Sequence, residues 1–236
     1  MKRLSDTYIQ ENLMGPNAIR VLNELLRKCK AELDQVNPVR ICDLGYGTGL
    51  TSMALADLFP DAHVWACDLW VSEEENRARF ESLGFSDQIK AVNGDTLALP
   101  FEEGFFDAII SVDSYHYFGH DEGAIDQVAR MAKQGGVLAL AFPGFIRPLD
   151  DAMMEVLGRS WSREGMEFIW PADQWRELWG KSSFVNLESL FEMDCFEAAW
   201  DDWLACDNEC AKGDAAAMTT GGRDIMNLLG AVLIRK

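Results

Sequence analysis

Three glycines at every second position follow a short apolar stretch, and this arrangement constrains the fold more than any other feature. Residues 39–44 read as a strand, and Gly45, Gly47 and Gly49 form a loop directly after it. Glycine lets a backbone turn sharply and approach a ligand because no Cβ stands in the way. A helical pattern over residues 51–59 begins at once. The sequence therefore predicts a strand–loop–helix unit whose loop and helix N-terminus face one ligand.

Apolar strands and helical patterns alternate five times along the first part of the chain. The predicted strands cover residues 39–44, 63–67, 89–92, 106–112 and 137–142, followed by 185–191 and 228–234. They are continuous apolar runs, which is typical of a parallel sheet with helices on both faces. We therefore expect an α/β fold: a single domain, residues 1–236, with a doubly wound, seven-stranded, mostly parallel, Rossmann-like sheet.

Local signals predict where several elements begin and end. Asn17 is a plausible N-cap for a helix with Ile19, Leu22 and Leu25 on one face. A helix over residues 121–132 should be followed by a turn at 134–136. The pair Pro143-Gly144 is predicted to stop the fifth strand.

Two irregular segments, residues 145–182 and 195–226, interrupt the alternation after the fifth and sixth strands. We interpret them as cap or substrate insertions beside the carboxyl-end edge of the sheet, where doubly wound folds bind ligands. Residues 161–203 contain ten aromatic side chains, and most of them are expected to form the core of a cap. Residues 150–214 also carry 16 acidic against 5 basic side chains. This is either a solvated acidic face or a surface that favours a cationic small substrate.

Composition excludes several classes of partner. The formal net charge is −18, so phosphate backbones and anionic lipid should be repelled, and we expect neither a nucleic acid nor a membrane partner. The six cysteines form no CxxC pair near histidine, so we expect no metal site. No signal peptide or apolar run of about 20 residues is visible, which favours a reduced, cytoplasmic protein. The sequence gives no indication of oligomeric state.

The register of the glycines distinguishes between cofactor classes. A dinucleotide fingerprint would require Gly or Ala where Leu50 stands, and a P-loop would require Gly-Lys-Ser/Thr. The string from Asp43 to Gly49 instead resembles the D-x-G-x-G-x-G motif of class I S-adenosylmethionine-dependent methyltransferases of the small-molecule type. Asp68 matches the acid that binds the ribose hydroxyls in that family, and Asp95-Thr96 matches the position near the adenine amino group. Residues 106–111 and 135–138 also resemble family motifs.

The resemblance covers about residues 39–142, the expected cofactor-binding core. It implies S-adenosylmethionine as cofactor and S-adenosylhomocysteine as product. The cofactor-binding residues that we expect are Asp43, Gly45, Tyr46, Gly47, Gly49, Asp68, Leu69, Trp70, Asp95, Thr96, Asp113 and Ser114.

The end of the fourth strand should face the methyl group, so the first candidates there are Asp113, Tyr115, His116 and Tyr117. Of these, Tyr115, His116 and Tyr117 are the expected catalytic residues. His116 has the pKa range of a general base, but it could equally line the pocket or bond to backbone. We expect transfer of a methyl group to a small-molecule acceptor, such as an amine or another neutral or cationic compound. The alternatives are a lipid-modifying enzyme similar to cyclopropane synthases, or a non-catalytic protein that binds S-adenosylmethionine.

Overall fold

Parallel strands and their crossover helices build most of the molecule. The structure, a computed structural model, describes residues 3–236; the start of the chain read for a signal peptide includes Met1 and Lys2, which lie outside the described residues. The strands are β1 (Arg40–Leu44), β2 (His63–Asp68), β3 (Ile89–Asn93), β4 (Phe106–Val112), β5 (Ala132–Phe145), β6 (Val185–Glu192) and β7 (Met226–Arg235).

The helices cover both sides of these strands. They are α1 (Asp6–Glu11), α2 (Ala18–Lys28), α3 (Lys30–Val36), α4 (Leu50–Leu58), α5 (Glu73–Ser82), α6 (Ala124–Met131), α7 (Asp151–Leu157), α8 (Arg163–Met166), α9 (Ala172–Gly180), α10 (Phe196–Leu204) and α11 (Glu209–Met218). Within residues 3–236, no helix has both the length and the apolar character that a membrane crossing requires.

In residues 3–236 the seven strands form one open sheet in the order β3-β2-β1-β4-β5-β7-β6. The pairs from β3 to β5 are parallel, and β7 runs antiparallel to both of its neighbours. This arrangement confirms the predicted doubly wound, seven-stranded, mostly parallel sheet. Strand order reverses between β1 and β4, so their carboxyl ends border a crevice of the kind that binds ligands in such folds.

Alternate residues of each strand enter two separate cores. Ile41 and Ile110 belong to a core packed under α2, α4 and α10, whereas Cys42 and Ile109 belong to a core packed under α6 and α9. Because neighbouring side chains of a strand point to opposite faces, a run that is apolar at every position requires cover on both sides. The continuous apolar runs of the sequence thus account for the layered architecture.

The prediction that Pro143-Gly144 ends the fifth strand is wrong. β5 continues to Phe145, with Pro143 opposite Leu228 and Gly144 opposite Asn227 of β7. The last registered pair with β4 is Val112 with Ala141. Pro143 therefore lies on a stretch with only one ladder partner, where a missing N–H is tolerated. At its other end β5 begins at Ala132, so the predicted turn at 134–136 lies inside the strand range, where the register with β4 shifts between Ala132 and Val137 and Gly135 has φ +75°.

Residues 145–182 do not act as a cap throughout. Trp175 and Trp179 of α9 are fully buried, and their rings contact Phe142 of β5 at centroid distances of 4.9 and 6.1 Å. α9 is therefore a layer helix on the sheet, because two tryptophans gain more from burial there than from a surface position. By contrast, α10 and α11 pack against each other, and α10 packs on α2.

Candidate active site

The glycine loop fits tightly between the N-terminal segment and the end of β4. Gly45 and Gly47 have φ values of +75° and +54°, which L-residues with side chains rarely adopt. A Cβ on Gly45 would lie 1.8 Å from Oγ of Ser114, and one on Gly47 would lie 2.7 Å from Sδ of Met14. The positive φ favours glycine at both positions, and the close approach of Ser114 leaves no space for a Cβ at Gly45. This explains the glycine spacing in the sequence.

Two adjoining cavities open at the crevice, with volumes of about 130 and 170 Å³. Five residues line both of them: Gly45, Asp68, Trp70, Ser114 and Tyr117. Together the cavities approach the lower limit of about 300 Å³ for a small-molecule site. The first extends from the glycine loop toward residues 12–18, and the second extends toward the end of β3.

Asp68 ends β2 and lies at the centre of this cleft. Its carboxylate accepts hydrogen bonds from the backbone N–H groups of Gly47 (2.9 Å), Trp70 (2.7 Å) and Val71 (3.0 Å). A carboxylate has about four acceptor positions, so three fixed bonds leave capacity for a ligand hydroxyl. Asp68 thus links the glycine loop to the end of β2 and presents an oriented anion to the cavity.

Asp43 lies beneath the loop and outside the lining of both cavities. It is fully buried, and its Oδ2 accepts hydrogen bonds from Thr51 (2.7 Å) and Ser52 (2.5 Å) at the start of α4. Burial raises the pKa of Asp43 to about 6, although the two hydroxyls oppose the shift. Among residues 3–236, Oδ1 has no hydrogen-bond partner. The carboxyl group therefore ties β1 to α4, and direct contact with a cofactor stays a prediction.

The second cavity contains the residues expected around a purine. It is lined by Leu69, Asp95, Thr96 and Phe118 in addition to the five shared residues. Oδ1 of Asp95 accepts a hydrogen bond from Leu97 (2.9 Å) at the start of a short 3₁₀ turn. Trp70 is 72% exposed, and its ring centroid lies 5.2 Å from that of Tyr117. An aromatic pair thus forms one wall of the cleft.

The N-terminal segment covers the first cavity from the other side. Oγ1 of Thr48 donates a hydrogen bond to the carbonyl of Asn12 (2.8 Å), and Met14 and Gly15 line the cavity. Asn17 accepts bonds from two N–H groups of α2, so its predicted role as N-cap is confirmed. Its Nδ2 also donates to Asp202 of α10 (2.7 Å). The covering segment is therefore fixed at both ends.

The three catalytic candidates occupy different environments. Tyr117 is 46% exposed and lines both cavities, and burial together with nearby Asp113 and Asp214 raises its pKa to about 12. Tyr115 is fully buried and accepts a hydrogen bond from Nε1 of Trp179 (3.4 Å). His116 is buried and outside the cavity lining, and desolvation lowers its pKa to about 3.

These positions correct the expectation that all three side chains face the cleft. Tyr115, His116 and Tyr117 form a 3₁₀ turn, and side chains on such a turn point in directions about 120° apart. Only Tyr117 therefore points to the cavity. Catalytic roles for Tyr115 and His116 stay predictions, and their burial does not support them.

One relationship at this site has no signal in the sequence. Asp113 lines the first cavity with φ +56°, and Asp214 of α11 is a charged group that acts on its carboxylate. Asp214 accepts hydrogen bonds from Nε1 of Trp161 and of Trp203, both at 2.8 Å. Burial, with Asp214 second, raises the pKa of Asp113 to about 7. Two acids far apart in the chain are thus brought together above the crevice.

No group of three or more His, Cys, Asp or Glu side chains in residues 3–236 is arranged to hold a metal ion. The expectation that the protein needs no metal stays a prediction.

Comparison with known proteins bears on this arrangement. A family model described as a methyltransferase domain matches residues 41–136, which span the glycine loop, Asp68 and the strands around the crevice. Over these residues the chain is therefore similar to a methyltransferase domain. The resemblance read from the motif beginning at Asp43 is thereby confirmed.

Individual relatives of this domain differ in what they methylate. A malonyl-[acyl-carrier protein] O-methyltransferase of Geobacter sulfurreducens is 30% identical over 53% of this chain and 45% of its own length. A demethylmenaquinone methyltransferase of Thermus thermophilus is 31% identical over 45% of this chain and 48% of its own. The chain thus spans about half the length of these curated relatives.

The fold extends over nearly the whole chain. A crystal structure from Galdieria sulphuraria, of a protein provisionally described as a sarcosine dimethylglycine methyltransferase, superposes with a TM-score of 0.74. It covers 93% of this chain and 86% of its own at 20% sequence identity, so it shows the fold alone.

Proposed function

We propose that this protein transfers the methyl group of S-adenosylmethionine to a small-molecule acceptor that is neutral or cationic. One observation carries the proposal. The glycine loop after β1, Asp68 after β2 and Asp95 after β3 border one continuous cleft at the point where strand order reverses. Apart from Asp43 and Gly49, which lie outside the lining, the cofactor-binding residues implied by the family resemblance border these adjoining cavities.

The cleft suits each part of this cofactor. The backbone at Gly45 and Gly47, where a Cβ would clash, gives a charged amino-acid end access to loop amides. Asp68 keeps acceptor capacity for a sugar diol, because its three backbone bonds leave a lone-pair position. Asp95 and Thr96 border the second cavity, where an acceptor can meet a purine amino group.

When bound, S-adenosylmethionine supplies a methyl group that its sulfonium already activates. The protein then has to orient the acceptor and exclude water. Residues 12–16 cover the first cavity, and Trp70 and Tyr117 wall the second. Asp113, Ser114 and Tyr117 follow β4 and line the first cavity, which supports contact with an acceptor there as well as with the cofactor.

The class of acceptor is inferred from charge and not from the relatives, whose acceptors differ. Asp68 and Asp113 line the first cavity, and the described residues contribute no Lys or Arg to its lining. A carboxylate or phosphate acceptor would therefore lack a counter-charge there, whereas an amine or a neutral molecule would not.

Labelled S-adenosylmethionine tests this function. The protein is incubated with methyl-labelled cofactor and a metabolite extract, and label in small molecules is followed together with formation of S-adenosylhomocysteine. We expect a methylated small molecule. Binding of the cofactor with no transfer to any fraction would favour the non-catalytic alternative, and transfer only to fatty acids or phosphates would exclude the proposed acceptor class.

A further inference from the structure

The carboxylate of Asp113 differs from every other acid at the site, because no protein group satisfies it. Within residues 3–236 it accepts no hydrogen bond and forms no ion pair, although its backbone N–H donates to the carbonyl of Ala141 (2.7 Å). Asp68 and Asp43 both have donors that fix them. A partly buried carboxylate without a donor is costly, so its position indicates an external partner.

The surroundings of Asp113 determine the charge of that partner. Oδ2 of Asp113 would be only 2.6 Å from a Cβ on Gly15, so the covering segment packs closely against it and supplies no charge. The titratable groups that interact with Asp113 are Asp214 of α11 and Tyr117 of the turn after β4. Asp68 lines the same cavity from β2. Since all of these are anionic or neutral, a proton or a cation is favoured there.

We propose that Asp113 binds the ammonium group of an amine acceptor and takes a proton from its nitrogen before methyl transfer. This inference rests on the proposed function and narrows its acceptor to an amine that binds in its protonated, ammonium form. Asp214 is a positioning residue, since its negative charge acts on the acceptor through Asp113.

The proposed step balances in protons and electrons. One N–H bond of the ammonium breaks, the proton moves to the carboxylate of Asp113, and the nitrogen keeps the electron pair. That pair forms the new N–C bond, while the pair of the broken C–S bond remains on sulfur. The proton on Asp113 then passes to solvent. A carboxylate whose pKa is raised to about 7 is better matched to this transfer near neutral pH than an ordinary aspartate.

An ammonium group is present in S-adenosylmethionine as well as in an amine acceptor, so the source of the cation has to be tested. Asp113 and the glycine loop line the same cavity, so an ammonium group from either source can reach this carboxylate. S-adenosylhomocysteine keeps the cofactor's ammonium and lacks the methyl group. Its affinity therefore reports on the cofactor side alone.

The experiment compares wild type with Asp113→Asn and with Asp173→Asn. Asp173 is an exposed acid on α9, so its variant removes the same charge away from the cavity. Asparagine also tolerates the positive φ of position 113, which protects folding. A metabolite extract is divided into fractions retained and not retained by a cation exchanger, and labelled methyl transfer into each is measured. The dissociation constant for S-adenosylhomocysteine and the rise in Tm of that complex with benzylamine are measured in parallel.

We expect label in the retained fraction, and an Asp113→Asn variant with at least about tenfold lower kcat/KM, as for loss of one charged hydrogen bond. The affinity of this variant for S-adenosylhomocysteine should stay within about twofold of the wild-type value. Benzylamine should no longer raise the Tm of the variant's complex with S-adenosylhomocysteine. Asp173→Asn should behave as wild type. In the wild type, kcat/KM should rise with pH through about pH 7. In Asp214→Asn this rise should occur at lower pH, because a negative neighbour of Asp113 is removed.

Each of the other possible outcomes refutes a specific part of the proposal. Label confined to the unretained fraction would refute an amine as the acceptor, but it would not refute methyl transfer as the function. Equal losses of cofactor affinity and turnover in Asp113→Asn would assign the carboxylate to the cofactor's ammonium. Label in neither fraction, despite binding of S-adenosylhomocysteine, would refute methyl transfer and this inference together.

Discussion

Gly45 and Ser114 face each other across the crevice so closely that a Cβ on the glycine would lie 1.8 Å from the serine Oγ. The first residue belongs to the loop after β1 and the second follows β4, the two strands between which strand order reverses. This contact fixes the floor of the cleft that we assign to the cofactor. It also makes the loop unusually sensitive to substitution.

Replacing Gly45 with alanine should abolish cofactor binding. The added Cβ must displace Ser114, and an L-residue at φ +75° adds about 1–2 kcal/mol of backbone strain. We expect at least about a hundredfold weaker binding of S-adenosylhomocysteine by calorimetry, a loss of about 2.7 kcal/mol. Gly180→Ala is the matched control, since a Cβ at that position has no neighbour within 4 Å. Wild-type affinity in Gly45→Ala would show that the loop does not contact the cofactor.

Replacing Asp68 with asparagine should weaken cofactor binding and loosen the loop. An amide can offer only one acceptor oxygen to the N–H groups of Gly47, Trp70 and Val71, and its NH₂ group would face a donor. We expect about tenfold or greater loss of affinity for S-adenosylhomocysteine and a lower Tm. The same calorimetric titration and a thermal melt measure both. An unchanged affinity with a lower Tm would restrict Asp68 to a structural role.

Asp113→Asn should stabilise the free protein at alkaline pH. The pKa of Asp113 in the folded protein is raised to about 7, so its contribution to stability is complete below the unfolded value near 4 and lost as pH rises through about 7. Removing the charge should therefore raise the free energy of unfolding by up to about 4 kcal/mol at pH 8 and by little at pH 4. Denaturant unfolding at the two pH values measures this. A variant less stable than wild type at pH 8 would contradict the account.

Asp202→Asn should release the covering N-terminal segment from α10. Asp202 accepts hydrogen bonds from Asn17 and Arg20, and chiefly the bond from Arg20 lowers the pKa of its carboxyl group. The stability that the Asp202 carboxylate contributes is present above the unfolded pKa near 4. It is lost as pH falls through the lower pKa of the folded protein. We expect about 1 kcal/mol loss of stability at pH 7, as for a partly exposed ion pair. If the Tm values of wild type and Asp202→Asn differed by as much at pH 2 as at pH 7, this explanation would be excluded.

The sequence predicted those parts of the fold and site that depend on local pattern. Continuous apolar runs required a sheet covered on both faces, and the structure has one. The glycines at 45 and 47 could be read from spacing because both adopt a positive φ that favours glycine, and a Cβ at Gly45 would also clash with Ser114. Asn17 was predictable as an N-cap because its oxygen accepts bonds within its own helix.

Features that depend on distant parts of the chain could not be predicted in this way. Pro143 remains within β5 because β7, more than 80 residues later, pairs with it while β4 has already ended. Tyr115 points to the core because Trp175 and Trp179 of a later helix pack there. The proximity of Asp214 to Asp113 likewise depends on how α11 folds back, and no local motif encodes it.

Calorimetric titration of the wild-type protein with S-adenosylhomocysteine tests the central claim most directly. The account predicts one binding site of about micromolar affinity, lost in Gly45→Ala and retained in Gly180→Ala. Absence of binding by folded wild-type protein, or equal binding by Gly45→Ala, would contradict the assignment of this cleft to the cofactor.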